Sequence, residues 1–294
     1  MLGDFPAVRK FLPISAGFFL LVGALLAHDH LPASTQAILA TQAHLEGLTQ
    51  SDLARVVSEA ESGERKAEYL LALVYQEGRL VPRDLAAARK WMLKSAEQGY
   101  VPAQTEMGEI LIGGRHNGAI PDYADADRWL RMAATQGDAD AQLWLGLGYE
   151  RGWFGVTDYR EALKWLGKAA EQGQPAAQFC LGQMYEDGES VPESDSLAAS
   201  WYRKAADHSP RYLGGVGEAE VQLSYMYRDG RLPEDNMQAY MWFAIVGGDD
   251  DLKRVARHMT KAQILQAQRM AENWIKQHTL QRPMNVATSS KPTP

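Results

Sequence analysis

The chain has 294 residues, 46% of them hydrophobic and 23% charged, an ordinary folding composition with room for one large domain or an array of small units. A net charge of −7 argues against a nucleic-acid partner, which needs clustered Lys and Arg. The single cysteine, Cys180, rules out an internal disulfide or a thiolate metal cage.

The first 30 residues read as an export segment. Arg9 and Lys10 precede "FLPISAGFFLLVGALLA", residues 11–27, a 17-residue run with no charge inside. That length is short for a spanning helix of roughly 20 residues and long for a signal-peptide core of about 7–15. We read the run as an uncleaved anchor. A cleaved signal is the second reading and a buried core helix of a cytoplasmic domain the third. Either export reading carries the rest of the chain across the membrane, and no Lys or Arg follows until Arg55.

Residues 31–63 form an N-terminal helical cap in this reading, with "SDLARVVSEAESG" as a lone helix ahead of an array. The array shows in a trio: Ala67, Tyr75, Gly78; Ala141, Tyr149, Gly152; Ala177, Tyr185, Gly188; Ala219, Tyr227, Gly230, with Ala103, Leu111 and Gly114 as a fifth copy. Four residues after each Ala stands Leu71, Met107, Leu145, Leu181 or Leu223, then a small residue, Ala72, Gly108, Gly146, Gly182 or Ser224. A Trp closes each unit (Trp91, Trp129, Trp165, Trp201, Trp242), with Ala88, Ala126, Ala162, Ala198 or Ala239 three residues before it. The leading alanines are 36, 38, 36 and 42 residues apart.

Counting offsets from each leading Ala, 0, 4 and 8 share one helix face and predict a buried stripe. The small residue at offset 5 predicts close approach of a second helix, and the Gly at offset 11 a left-handed stop. Asp84, Asp122, Asp158 and Asp235, each seven before its Trp, predict acidic openings of the second helices; repeat four has Ser194 there. Each unit is thus a helix–turn–helix that buries its apolar face only by stacking.

At these residues the chain resembles the Sel-1-like repeat family, a relative of the tetratricopeptide repeat: "AAQFCLGQMYEDG" and "DYREALKWLGKAAEQG" follow its pattern nearly position for position. The resemblance implies an all-α, right-handed α-solenoid of five repeats, at about 64–100, 101–138, 139–174, 175–210 and 217–248, working as a non-catalytic scaffold for protein partners. Some members clamp each repeat with a disulfide; this chain lacks those cysteines. Repeat two carries a longer turn, "GGRHNGAIPDY", and six extra residues, within "HSPRYLGGVG", separate repeats four and five. Residues 249–279 are expected to form closing helices, with Ile264, Ala267, Met270, Ala271 and Trp274 at helical spacing, and 280–294 a disordered tail.

No phosphate-binding loop, zinc-protease helix, nucleophile elbow or dinucleotide fingerprint occurs, so no catalytic residue and no cofactor is assigned. His28-Asp29-His30 is a possible metal pair, with a solvated turn as the simpler reading, and no metal is assigned; His116 is isolated. Cys180 reads as a packing residue on a helix. Binding has more support. Offsets 2 and 6 carry Tyr69, Leu73, Leu143, Leu147, Phe179 and Tyr225, more apolar than a solvated face requires, and first helices line the concave side of such arrays. Packing between neighbouring first helices is the competing explanation. Trp144 and Trp153 lie outside the repeat pattern, so they complete the candidate surface for a protein or peptide in the groove. Rival readings are a polysaccharide-assembly scaffold and a cell-envelope hydrolase, the latter needing a carboxylate or histidine constellation in the groove.

Overall fold

The structure is a computed structural model that describes Leu45 and residues 47–113, 121–208, 217–233 and 235–278. These contain thirteen α-helices and no strand. A lone helix, α1 (Gln50–Glu61), precedes five hairpins: α2 (Arg65–Glu77) with α3 (Leu85–Glu97), α4 (Val101–Gly113) with α5 (Tyr123–Thr135), α6 (Ala139–Glu150) with α7 (Tyr159–Glu171), α8 (Pro175–Asp187) with α9 (Asp195–His208), and α10 (Glu218–Arg228) with α11 (Asn236–Val246). Two further helices, α12 (Asp249–Ala256) and α13 (Lys261–His278), close the array against α11. Each helix packs on the next in the chain through the hairpins, and the first helices α4 and α6 also touch directly, so first helices form the inner row of an α-solenoid.

Local chemistry explains the punctuation. Asp84 Oδ1 accepts from the N–H groups of Ala86 and Ala87 at 3.0 and 2.9 Å, and Asp158 and Asp235 cap α7 and α11 in the same way. Ser194 fills the acidic slot of repeat four with a hydroxyl that accepts from the Leu197 N–H at 3.4 Å. Gly78 and Gly188 end α2 and α8 at φ 74° and 71°, the left-handed conformation an L side chain resists. Thr49 and Asp52 exchange the reciprocal bonds of a capping box at the start of α1.

Offset 5 sets the hairpin spacing. A Cβ on Gly108, Gly146 or Gly182 would stand 2.4–2.5 Å from Leu130, Leu166 or Tyr202. Those residues each follow a repeat Trp, and with Met92 and Phe243 they are fully buried. The deepest slot of the second helix is therefore the residue after the Trp, not the Trp itself. Trp129, Trp165 and Trp242 are buried, whereas Trp91 and Trp201 are half-buried. The physical reason is angular: one residue further round the helix points straight at the glycine gap. The outward ring faces are covered by cations of their own helix, Lys94 over Trp91 at 4.2 Å, Lys168 over Trp165 at 4.6 Å and Lys204 over Trp201 at 3.7 Å.

Successive repeats are also joined by a polar ladder at offset 1. Gln104, Gln142 and Gln178 are buried, and each donates its amide to the last turn of the preceding second helix, to the carbonyls of Ala96, Ala134 and Ala170 at 3.0–3.1 Å. Gln136 and Gln172 then donate to the side-chain oxygens of Gln104 and Gln142 at 2.8 Å. The ladder satisfies helix-terminal carbonyls inside the stack, where water cannot reach them.

At the C-terminus Ala267, Ala271 and Trp274 are buried, with Ile264 and Met270 partly so. Trp274 meets Trp242 edge-on at 5.6 Å. The 11–27 run, His28, His30, His116 and the 280–294 tail lie outside the described residues. Among the described residues no helix is long and apolar enough to cross a membrane.

Candidate functional site

The inner row does not offer one continuous apolar groove. Tyr69, Leu73, Leu143 and Leu147 are buried, which corrects their reading as free binding residues. The cause is the neighbouring first helix. Offsets 2 and 3 point away from their own hairpin, and across the first two seams the next repeat bonds them. Tyr69 donates its hydroxyl to Glu106 Oε2 across α2 and α4 at 3.0 Å, and Gln76 donates to Glu106 Oε1 at 3.2 Å. Thr105 donates to Asp138 Oδ1 at 3.0 Å, and Asp138 also accepts from the Ala141 N–H at 2.8 Å as the cap of α6.

Trp144, Trp153 and Phe179 are half-buried, and Tyr225 is 43% exposed. Phe179 tilts against Tyr202, and Tyr225 lies beneath the Arg228 guanidinium at 4.4 Å. Trp144 and Trp153 come together although nine residues of sequence separate them. Their rings stand 6.4 Å apart, and Trp153 stacks on Tyr123 at 6.1 Å with planes 8° apart. The turn after α6 makes this possible. Phe154 plugs the space above Gly148, where a Cβ would come within 2.0 Å of its ring, and meets Tyr149 edge-on at 5.4 Å. The Trp153 N–H donates to the Gly148 carbonyl at 2.9 Å, which folds the turn back along α6 and presents the indole beside Trp144.

Beneath the indoles lies a group of carboxyls. Trp144 Nε1 donates to Glu109 Oε1 at 2.8 Å, tying α6 to α4. Burial, then Asp140 and Glu106, pushes the Glu109 carboxyl up to about 8. Burial likewise raises Asp138 to about 6 and pushes Glu106 upward against the donors that hold it. Glu150, at the end of α6, has a buried Oε2 that accepts no hydrogen bond among the described residues. The acids of this seam were not singled out in the sequence, because Glu106 and Glu109 occupy positions where sibling repeats carry Leu, Trp, Cys, Gln or Tyr. Their proximity to Trp144 depends on stacking.

Burial pushes the Cys180 thiol far above its ordinary range, so it is a thiol and not a thiolate. Among the described residues no three His, Cys, Asp or Glu side chains group to hold a metal ion.

The chain is similar to several solved structures. A Sel1 repeat protein from Oxalobacter formigenes is 28% identical with a TM-score of 0.58, covering 76% of this chain and 68% of that one. The c5321 protective antigen of uropathogenic Escherichia coli, displaying an SLR fold, is 26% identical with a TM-score of 0.47 over 82% of this chain; the chain spans 62% of its length. The immunity protein Pa5087 from Pseudomonas aeruginosa is 20% identical, with a TM-score of 0.43 over 78% of this chain and 85% of that one. No curated protein matches the chain. The Sel1 repeat model matches residues 65–100, 101–138, 139–174, 175–210 and 217–245. The chain belongs to the Sel1 repeat family, whose members are generally non-catalytic scaffolds that bind protein partners.

Proposed function

We propose that this chain is an adaptor of the cell envelope, exported through its first 30 residues, that binds a protein or peptide on the inner face of repeats two to four. One observation carries the binding reading. Trp144 on the inner row and Trp153 in the turn after α6 are half-buried indoles side by side, outside the repeat code. Large aromatic rings left partly open beside charge are the usual anchors of interfaces. Export rests on Arg9 and Lys10 ahead of the uncharged 11–27 run.

Photo-crosslinking in intact cells tests the surface. A photoreactive residue at Gln183, on the inner row, is expected to trap a discrete partner, whereas the same residue at exposed Glu171 on a second helix is not. Adducts from both positions alike, or from neither, would refute the binding face. A reporter that needs export, fused after Gly248, is expected to be active; activity confined to the cytoplasm refutes the envelope assignment.

A further inference from the structure

We infer that the residue following a repeat-ending glycine is a latch that holds the turn end of its repeat against the preceding unit, and that the latch between repeats three and four is mismatched, so the array hinges open at that seam.

Four seams carry the regularity. Gly78, Gly152, Gly188 and Gly230 are followed by Arg79, Trp153, Glu189 and Arg231. The four glycines share a left-handed φ between 69° and 74°, so the chain leaves each first helix on the same course and aims the next side chain at the same neighbour. That neighbour is the start of the preceding outer helix. Arg79 donates to the Leu45 carbonyl and, at 3.1 Å, to the Leu48 carbonyl just ahead of α1. Trp153 stacks on Tyr123, the first residue of α5. Glu189 faces the hydroxyl of Tyr159, the first residue of α7. Arg231 bonds Asp195, the first residue of α9, together with Glu186 near the end of α8.

The chemistry of one latch differs from the rest. Guanidinium bonds and a stacked ring pair draw the other seams together. Between repeats three and four, Glu189 stands where repeat five has Arg231, and Glu150 stands where repeat four has Glu186. Glu186 accepts from Arg231 and from Tyr202. Repeat three has Leu166 at the Tyr202 position, a side chain with nothing to donate. Glu150 Oε2 is buried and accepts no hydrogen bond among the described residues. Burial pushes its carboxyl upward, Arg151 opposes that, and Glu189 and Asp187 add to it. Acid facing acid in a half-buried turn resists closure. The other end of the same seam is firm, where Gln178 donates to the Ala170 carbonyl at 3.0 Å and Gln174 to Asp140 at 3.1 Å. A seam bonded at one end and repelled at the other pivots about the bonded end.

Hydrogen exchange on the full chain, read by NMR, tests this at three equivalent amides. The N–H groups of Ala126, Ala162 and Ala198 donate to the carbonyls of Asp122, Asp158 and Ser194 at the starts of α5, α7 and α9, at 2.9–3.0 Å. Ala162 is expected to exchange about 10-fold faster than Ala126 and Ala198, as local opening at one seam requires. Glu189→Arg sets a guanidinium opposite Glu150 and Tyr159, and is expected to slow Ala162 by a similar factor and to raise the melting midpoint by about 2 °C or more. Glu189→Gln removes the repulsion without adding the bond and is expected to give a smaller slowing, which keeps the test open if the arginine variant does not fold. Arg231→Gln is expected to speed Ala198 and leave Ala126 unchanged. Circular dichroism checks that each variant is helical. Equal exchange at the three amides of the parent, an Ala162 rate indifferent to both Glu189 variants, or an Ala198 rate indifferent to Arg231→Gln overturns the proposal.

Discussion

The inner row of repeats one to three differs from that of repeats four and five, although one repeat code writes both. In the first three, the offset-2 residues Tyr69, Thr105 and Leu143 are buried and α2, α4 and α6 are cross-linked by buried polar bonds. In the last two, Phe179 and Val221 are half-open and Tyr225 is exposed. The apolar core divides close by, inside repeat four, between α8 and α9. One cluster runs from Leu45 to Met184, and a second from Ala198 to Trp274. The first four hairpins pack alike and the fifth more loosely, and the cohesion between first helices also changes along the array. The lesson is that a repeat specifies the hairpin, while side chains outside the code decide whether neighbouring repeats close up or leave a surface.

The hairpins can be broken most severely. Leu166→Ala empties a fully buried slot opposite Gly146 and is expected to cost about 2–5 kcal/mol in urea unfolding. Trp201→Ala, at a half-buried position, is expected to cost distinctly less. An equal loss would mean that the Trp, and not the residue after it, holds the hairpin.

The next effect separates the two inner rows. Tyr69→Phe removes a donor from buried Glu106 and is expected to cost about 1–3 kcal/mol. Tyr225→Phe, exposed, is expected to stay within about 0.5 kcal/mol of the parent. The same Tyr→Phe change then weighs the two rows directly by thermal or urea denaturation.

A comparable loss is expected for Gln142→Ala, which leaves the Ala134 carbonyl and the Gln172 amide without their bonds. Hydrogen exchange localises the damage. Protection should fall first at the end of α5 and the start of α6, and uniform loss along the chain would show that the ladder does not act seam by seam.

The remaining effect is a pH slope. Glu109 and Asp138 have folded-state values raised above their unfolded ones, to about 8 and about 6. Their contribution is complete below about pH 4 and is lost as pH rises through those values, since ionisation is then favoured only in the unfolded chain. Stability is expected to decline between pH 5 and pH 8, and Glu109→Gln to flatten the upper half of that decline. A stability that rises over the same window would show these carboxyls to be paired with cations.

The sequence by itself determined the hairpins. Ala, Leu and the small offset-5 residue recur at spacings that only a helix places on one face, and Asp and Gly mark the starts and stops with short-range hydrogen bonds and backbone preferences. Those rules act within a few residues, so they are visible in the string of letters. Tertiary structure decided which inner residues stay open. Tyr69, Leu73, Leu143 and Leu147 look exposed when one hairpin is considered and are covered once its neighbour stacks. It also decided the company of Trp144: Glu109 from 35 residues upstream and Trp153 from a folded-back turn. Contacts between repeats depend on two helices whose approach is fixed by a third, and no local spacing encodes that distance.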